Sequence, residues 1–286
     1  MSLHPLTAPN TITRRLTVAD SLACLALSTE ASWNQTADDW AMILEGGIVK
    51  GTFVGGTLAA TCGVLRYGEA LDWICMVLVA KAHRRQGHAT RLMTEALAME
   101  RAGSIAVGLD ATPDGRKVYR KLGFADTFTL TRLAGAAPPP PSVARAPSIR
   151  QANASDLDAI IALDASHLGA PRPAILAALL ARAPHAAFVL TDGGAVTGFV
   201  LGRDGRLQSQ IGPVIAPDDA AAKALIGAAL SGMKGPVIID LVDGRPALDG
   251  WLESLGFIAQ RPFTRMMKGA PPSTAAPVAV AGPELG

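Results

Sequence analysis

Charge of one sign is what this chain most lacks. Its 286 residues carry 26 Lys and Arg against 24 Asp and Glu, a formal net charge of +2, with no long basic run. Affinity for a phosphate backbone comes from neutralising many charges, so a nucleic-acid partner is disfavoured. Long apolar runs are missing too. No uninterrupted stretch reaches the roughly 18 residues of a membrane span, and Met1 to Asn10 lacks the charged start and apolar core of a secretory signal. The expectation is a cytoplasmic protein with no membrane partner. Cysteine is sparse: Cys24, Cys62 and Cys75 are an odd number, all in the first half, with no Cys-x-x-Cys spacing. Reduced thiols and no metal site are expected. What is present is ample apolar material, 49% hydrophobic against 17% charged residues, in a length that suits two domains of ordinary size.

The most informative stretch runs from Val77 to Thr90, V-L-V-A-K-A-H-R-R-Q-G-H-A-T. An apolar β-type run breaks into a basic, glycine-containing loop that opens directly into a helix. A helix start leaves backbone N–H groups unpartnered and carries partial positive charge. A loop of Arg84, Arg85, Gln86, Gly87, His88 and Ala89 placed there can therefore cradle a pyrophosphate, with Thr90 as a further donor.

Arg84-x-x-Gly87-x-Ala89 resembles the Q/R-x-x-G-x-G/A motif of the GNAT superfamily of acyl-CoA-dependent N-acyltransferases. Downstream, Thr112-Pro113-Asp114-Gly115-Arg116-Lys117-Val118-Tyr119-Arg120-Lys121-Leu122-Gly123-Phe124 resembles the family's N-x-x-A-x-x-x-Y-x-x-x-G-F segment. The resemblance implies an α+β fold of two tandem GNAT-like domains, each a mixed, mostly antiparallel sheet flanked by helices. It implies acetyl-CoA as cosubstrate and a primary amine, of a small molecule, as acceptor. Val77, Leu78 and Val79 would give main-chain contacts to the acyl carbonyl and pantetheine. Residues 84 to 90 would grip the diphosphate, and Thr112 and Gly115 stand where the family has Asn and Ala near the cofactor. Tyr119 would be the general acid, since a phenol of pKa about 10 can protonate a leaving thiolate of pKa about 8.5 at modest cost.

The base is not assigned by the resemblance, because Trp73 occupies the strand position where some relatives carry a catalytic Glu. Asp72, Glu69 and a water chain to a more distant acid all stay open. Cys75, on the same strand face as Trp73 and Val77 by alternation, is expected to be a buried thiol rather than an acyl carrier. His83 and His88 are expected as solvent-facing loop residues. Trp33 and Trp40 fit either a core or an acceptor pocket.

Ala134 to Ser148, with four consecutive prolines at 138 to 141, marks a linker between a domain at 10–133 and a second at 149–269. In the first, Thr17-x-x-Asp20 and Thr36-x-x-Asp39 open two helices, followed by strands at 48–54, 58–66 and 71–80, a helix at 85–101, a strand at 104–110, a helix at 115–122 and a strand at 124–133. The second retraces this order, with Ser155-x-x-Asp158 as a cap, Pro173 opening a helix, and Leu255-Gly256-Phe257 echoing Leu122-Gly123-Phe124. There the basic loop is replaced by Pro217, Asp218 and Asp219, whose carboxylates would repel a pyrophosphate, and Leu252 takes the place of Tyr119. The second domain reads as a degenerate copy that closes the acceptor pocket, mediates a homodimer or stiffens the first. Residues 270–286, rich in Ala and Pro, read as a flexible tail or one ordered only by docking. The rival readings are an acyl-CoA-binding regulator without turnover and a structural dimer module.

Overall fold

A computed structural model of the protein describes residues 10–99, 106–136, 148–273 and 275–286. The chain forms two compact units, one within residues 1–64 and 76–100, the other within 65–75 and 101–286. The expected linker lies mostly at 137–147, outside the described residues.

The first unit begins with β1 (Thr11–Arg15), then α1 (Ser21–Glu30), α2 (Ala37–Gly46) and β2 (Gly47–Val54). It continues through most of β3 (Thr57–Tyr67), the end of β4 (Leu71–Val79) and α3 (His88–Leu97). Strand order is β1-β2-β3-β4. The Thr36–Asp39 capping box forms as expected: Thr36 N–H donates to Asp39 at 2.8 Å and Asp39 N–H to Thr36 Oγ1 at 3.2 Å. Trp40 belongs to the core, wholly buried with Nε1 donating to Ser28 Oγ at 3.1 Å. β1 was not expected. Its sequence, TITRR, buries no residue and is held as a strand only by antiparallel pairing to β2.

The second unit contains the start of β4, then β5 (Ala106–Ala111), α4 (Pro113–Lys121), β6 (Ala125–Ala136) and β7 (Ile149–Gln151). There follow α5 (Leu157–Leu168), α6 (Pro173–Arg182), β8 (Phe188–Asp192), β9 (Ala195–Arg203), β10 (Ser209–Ile215), α7 (Asp219–Gly232), β11 (Pro236–Val242), α8 (Pro246–Ser254) and β12 (Ile258–Lys268). Ahead of α5 the capping box is Asn153 with Asp156, not Ser155 with Asp158; Arg150 holds Asp156 in place at 2.6 Å. α7 buries Ala222, Leu225, Ile226, Ala229 and Leu230, one stripe at helical spacing against the sheet core.

Strand order in this unit is β4-β5-β12-β6-β11-β10-β9-β8-β7. The two halves have exchanged their last strands: β12 pairs with β5, and β6 pairs with β11. Buried ion pairs pin both exchanges. Arg265 reaches Asp110 through Nε and Nη2 at 2.9 and 2.8 Å, and Arg132 reaches Asp240 through the same two atoms at 2.7 Å. The compact units therefore do not coincide with the two sequence halves.

Of the segment expected to be a flexible tail or one ordered only by docking, residues 277–286 are docked and largely buried. β10 and β11 pair in parallel only over Ser209–Ile211 and Val237–Ile239. Beyond that point residues 278–280 lie between them: Val278 N–H donates to Val214 O at 2.9 Å, Val214 N–H to Ala279 O at 2.9 Å, and Val280 N–H to Asp240 O at 3.1 Å. Val278 to Ala281 are each at most 1% exposed. Gly212 makes this approach possible, since a Cβ there would sit 1.9 Å from Val280 O. Further on, Glu284 pairs with Arg203, while Leu285 O accepts from Tyr67 Oη and Arg172 Nη1, each at 2.7 Å. Composition suggested looseness because the segment lacks large apolar groups. It is held by backbone hydrogen bonds and ion pairs instead.

Candidate functional site

The anion cradle forms at the end of β4, within the first unit. Alternation along β4 fails at Met76, whose φ is +50° and whose carbonyl accepts from Thr61 Oγ1 at 2.7 Å. The shared face expected for Trp73, Cys75 and Val77 is thus interrupted before Val77. Leu78 is buried, and Val77 and Val79 on either side of it are half-buried. Cys75 is a buried thiol, and burial pushes Cys62 up to about 12, which leaves it no thiolate character at neutral pH.

After β4 the chain is fastened by Ala80 N–H to Ala59 O at 2.8 Å and Lys81 N–H to Glu30 Oε2 at 3.1 Å. Arg85 and Gly87 both take left-handed backbone, φ +61° and +80°, which turns the loop and delays the helix. α3 therefore starts at His88 rather than the expected Arg85, with Gly87 as its N-cap and no side-chain cap. The first helical bond is Arg91 N–H to Gly87 O at 3.0 Å. The amides of His88, Ala89 and Thr90 precede it and have no intrahelical acceptor. Arg84, Arg85 and Gln86 are exposed around them. His88 is not the solvent-facing residue expected. It is 6% exposed, neither ring nitrogen has a hydrogen-bond partner among the described residues, and burial together with Arg91 and His83 holds its pKa below the usual imidazole value. The imidazole thus sits, buried, at the first position of a helix that has no side-chain cap.

Asp72, Thr112, Gly115 and Tyr119 lie in the second unit. Asp72 is 6% exposed and faces Val107 in the β4–β5 ladder, which ends one residue later at Trp73 and Gly108. Thr112 caps α4, its Oγ1 accepting from Gly115 N–H at 3.2 Å. Gly115 lets the Tyr119 ring close over the helix start, since a Cβ there would lie 2.9 Å from the ring. Tyr119 is half-buried, near Phe124.

The same turn recurs in the second half with different chemistry. Phe124 N–H donates to Tyr119 O at 3.1 Å and Phe257 N–H to Leu252 O at 3.0 Å, with Gly123 and Gly256 at φ +90° and +85°. Leu252 is wholly buried in the apolar core. At the head of α7, Asp218 accepts from Ala221 N–H at 2.7 Å, and Asp219 is taken by Arg245 at 2.7 Å.

One feature of the second unit escaped the sequence. A cavity of about 250 Å³ is bounded by Trp73, Phe128, His167, Leu168, Arg265 and Met267, among others. Its residues come from segments far apart in the chain, so no local pattern could announce it.

Descriptions of the acetyltransferase (GNAT) domain match the chain twice, over residues 41–126 and 160–277. An uncharacterized N-acetyltransferase of Bacillus subtilis (strain 168), YitH, is 24% identical over 238 residues, 82% of this chain and 83% of that protein. Holothin acyltransferase of Pseudoalteromonas sp. (strain SANK 73390) is 26% identical over 224 residues, 77% and 74% of the two chains. Among solved structures, a GCN5-related N-acetyltransferase from Sphaerobacter thermophilus superposes with a TM-score of 0.63 at 17% identity, covering 94% of this chain and 100% of that one. A tandem GNAT protein from the clavulanic acid biosynthesis pathway gives 0.63 at 12% identity, covering 91% and 98%. At such identities these likenesses speak for the fold.

Proposed function

The chain belongs to the GNAT acetyltransferases, with one such domain in each half, and on that premise we propose that its first half moves the acetyl group of acetyl-CoA to a small-molecule amine. The observation that carries this reading is the bare start of α3 set against the capped start of α7 and the filled gap between β10 and β11. In the second half the Asp218 carboxylate takes the Ala221 amide and sets negative charge where a diphosphate would sit, and residues 278–280 fill the gap a pantetheine arm would need.

The cosubstrate's diphosphate would take the His88, Ala89 and Thr90 amides, with Arg84 and Arg85 adding charge. Main-chain groups of Val77, Leu78 and Val79 would align the arm. The amine nitrogen attacks the thioester carbon, the C–N bond forms, and the C–S bond breaks. Tyr119 gives its phenolic proton to the leaving sulfur and is reprotonated by the proton the amine sheds, with Asp72 or water as carrier.

Calorimetry with coenzyme A tests the reading. One site per chain is expected, and replacing Arg84→Asp together with Gly87→Val should abolish it. Two sites, or uptake that survives the double substitution, would refute the assignment to the first half.

A further inference from the structure

We infer that the cavity beside Trp73 is the acceptor pocket and that it takes a weakly basic aromatic amine, one already neutral at pH 7. The inference rests on the transfer reading above.

The cavity begins where the β4–β5 ladder ends. Trp73 and Gly108 are the last paired residues of the β4–β5 ladder, and Trp73 is itself a wall. The remaining walls are mostly apolar: Leu71, Phe128, Leu168 and Met267. No Asp or Glu is among the lining residues. The charged or titratable ones are Arg265 and His167. Arg265 spends Nε and Nη2 on Asp110 and lies with its guanidinium carbon 4.6 Å from the Trp73 ring centre and 5.1 Å from that of Phe128. Asp110 is thereby consumed as a counter-charge.

An alkylammonium entering this space would shed water, meet a guanidinium and find no carboxylate. An aromatic amine avoids these costs, since its nitrogen arrives uncharged and no base need take a proton from it before it attacks. That also accounts for a site without an evident strong base.

His167 supplies the matching polar group. Its Nδ1 lies 3.1 Å from Leu163 O and 3.0 Å from Ser166 Oγ, whose own hydroxyl donates to Leu163 O. A carbonyl only accepts, so Nδ1 is a donor, and in the neutral ring Nε2 is left to accept from an amine N–H.

The test compares 4-methoxyaniline with cyclohexylmethylamine, of similar size, by thiol release from acetyl-CoA and by calorimetry without it. An alkyl amine of pKa about 10.4 is neutral in only about one molecule in a few thousand at pH 7, so kcat/KM for the aniline should be higher by up to about a thousandfold. Its rate should be flat from pH 7 to about 9, above the titration of a weakly basic amine. Ala275→Trp, at an exposed wall position, should fill the cavity and remove aniline binding while coenzyme A still binds. His167→Leu should weaken aniline binding with the fold intact.

Preference for the alkyl amine, a rate climbing about tenfold per pH unit toward 10, or indifference to Ala275→Trp would overturn the assignment. So would calorimetry that detects no aniline. If aniline binds, and is lost in Ala275→Trp, but no amine is ever acetylated, the pocket stands and the transfer reading falls.

Discussion

At the end of β4 and at the end of β10 the chain makes the same move, from a strand that leaves its parallel neighbour into a helix. At the first junction it forgoes a side-chain cap and turns through two left-handed residues to present three bare amides. At the second it caps with Asp218 and lays its own residues 278–280 into the gap. With glycine rather than aspartate at the cap the first helix gives up only a few tenths of a kcal/mol, a small cost for leaving its amides uncovered. The difference teaches that one turn can be built with opposite chemistry: at the second junction a carboxylate takes the Ala221 amide, and the chain itself fills the gap.

That contrast can be broken from either side. The largest effect is expected from Tyr119→Phe, which brings the first half toward the second. Turnover should fall by about 10² to 10⁴-fold with coenzyme A affinity nearly unchanged in calorimetry, and an undiminished rate would remove the assigned acid. Asp240→Ala strikes the filled gap, because Asp240 accepts from Arg132 and from Gln210 in the interior. Leaving Arg132 buried without its partner should cost about 3–5 kcal/mol, read from denaturant midpoints. Gly212→Ala should displace residues 278–280 at about 1–3 kcal/mol, seen as faster amide exchange at Val278 and Val280. Unchanged protection there would contradict the close approach. The smallest change, Asp218→Ala, should cost about 1 kcal/mol of stability and leave coenzyme A stoichiometry at one, because the gap stays filled.

Much of this was legible in the sequence where the signal was local. The loop from Arg84 to Thr90, the Thr36 cap, the Pro173 helix start and the paired Gly-Phe turns all depend on residues within a few positions of one another. β1 was not legible, since Thr11–Arg15 shows no apolar alternation and becomes a strand only by pairing with β2. The α3 start was misplaced because left-handed backbone at Arg85 has no side-chain signature, and the same holds for Met76. Strand exchange, the docking of residues 278–286 and the cavity beside Trp73 are set by contacts far apart in the chain, as with Arg203 and Glu284, 81 positions apart, and Thr127 and Arg265, 138 positions apart. Periodicity within a window cannot reach them.

The exchange of β6 and β12 has a consequence for how the protein is made. Asp110 on β5 meets Arg265 on β12, 155 residues later in the chain. At ribosomal rates of roughly 5–20 residues per second, β5 waits about ten to thirty seconds with one edge unsatisfied. The nascent first half cannot finish its sheet before the last strand emerges. Premature pairing of β5 with β6, its neighbour in sequence, is the natural misfolding trap, and it would be deepest where synthesis stalls between the two halves.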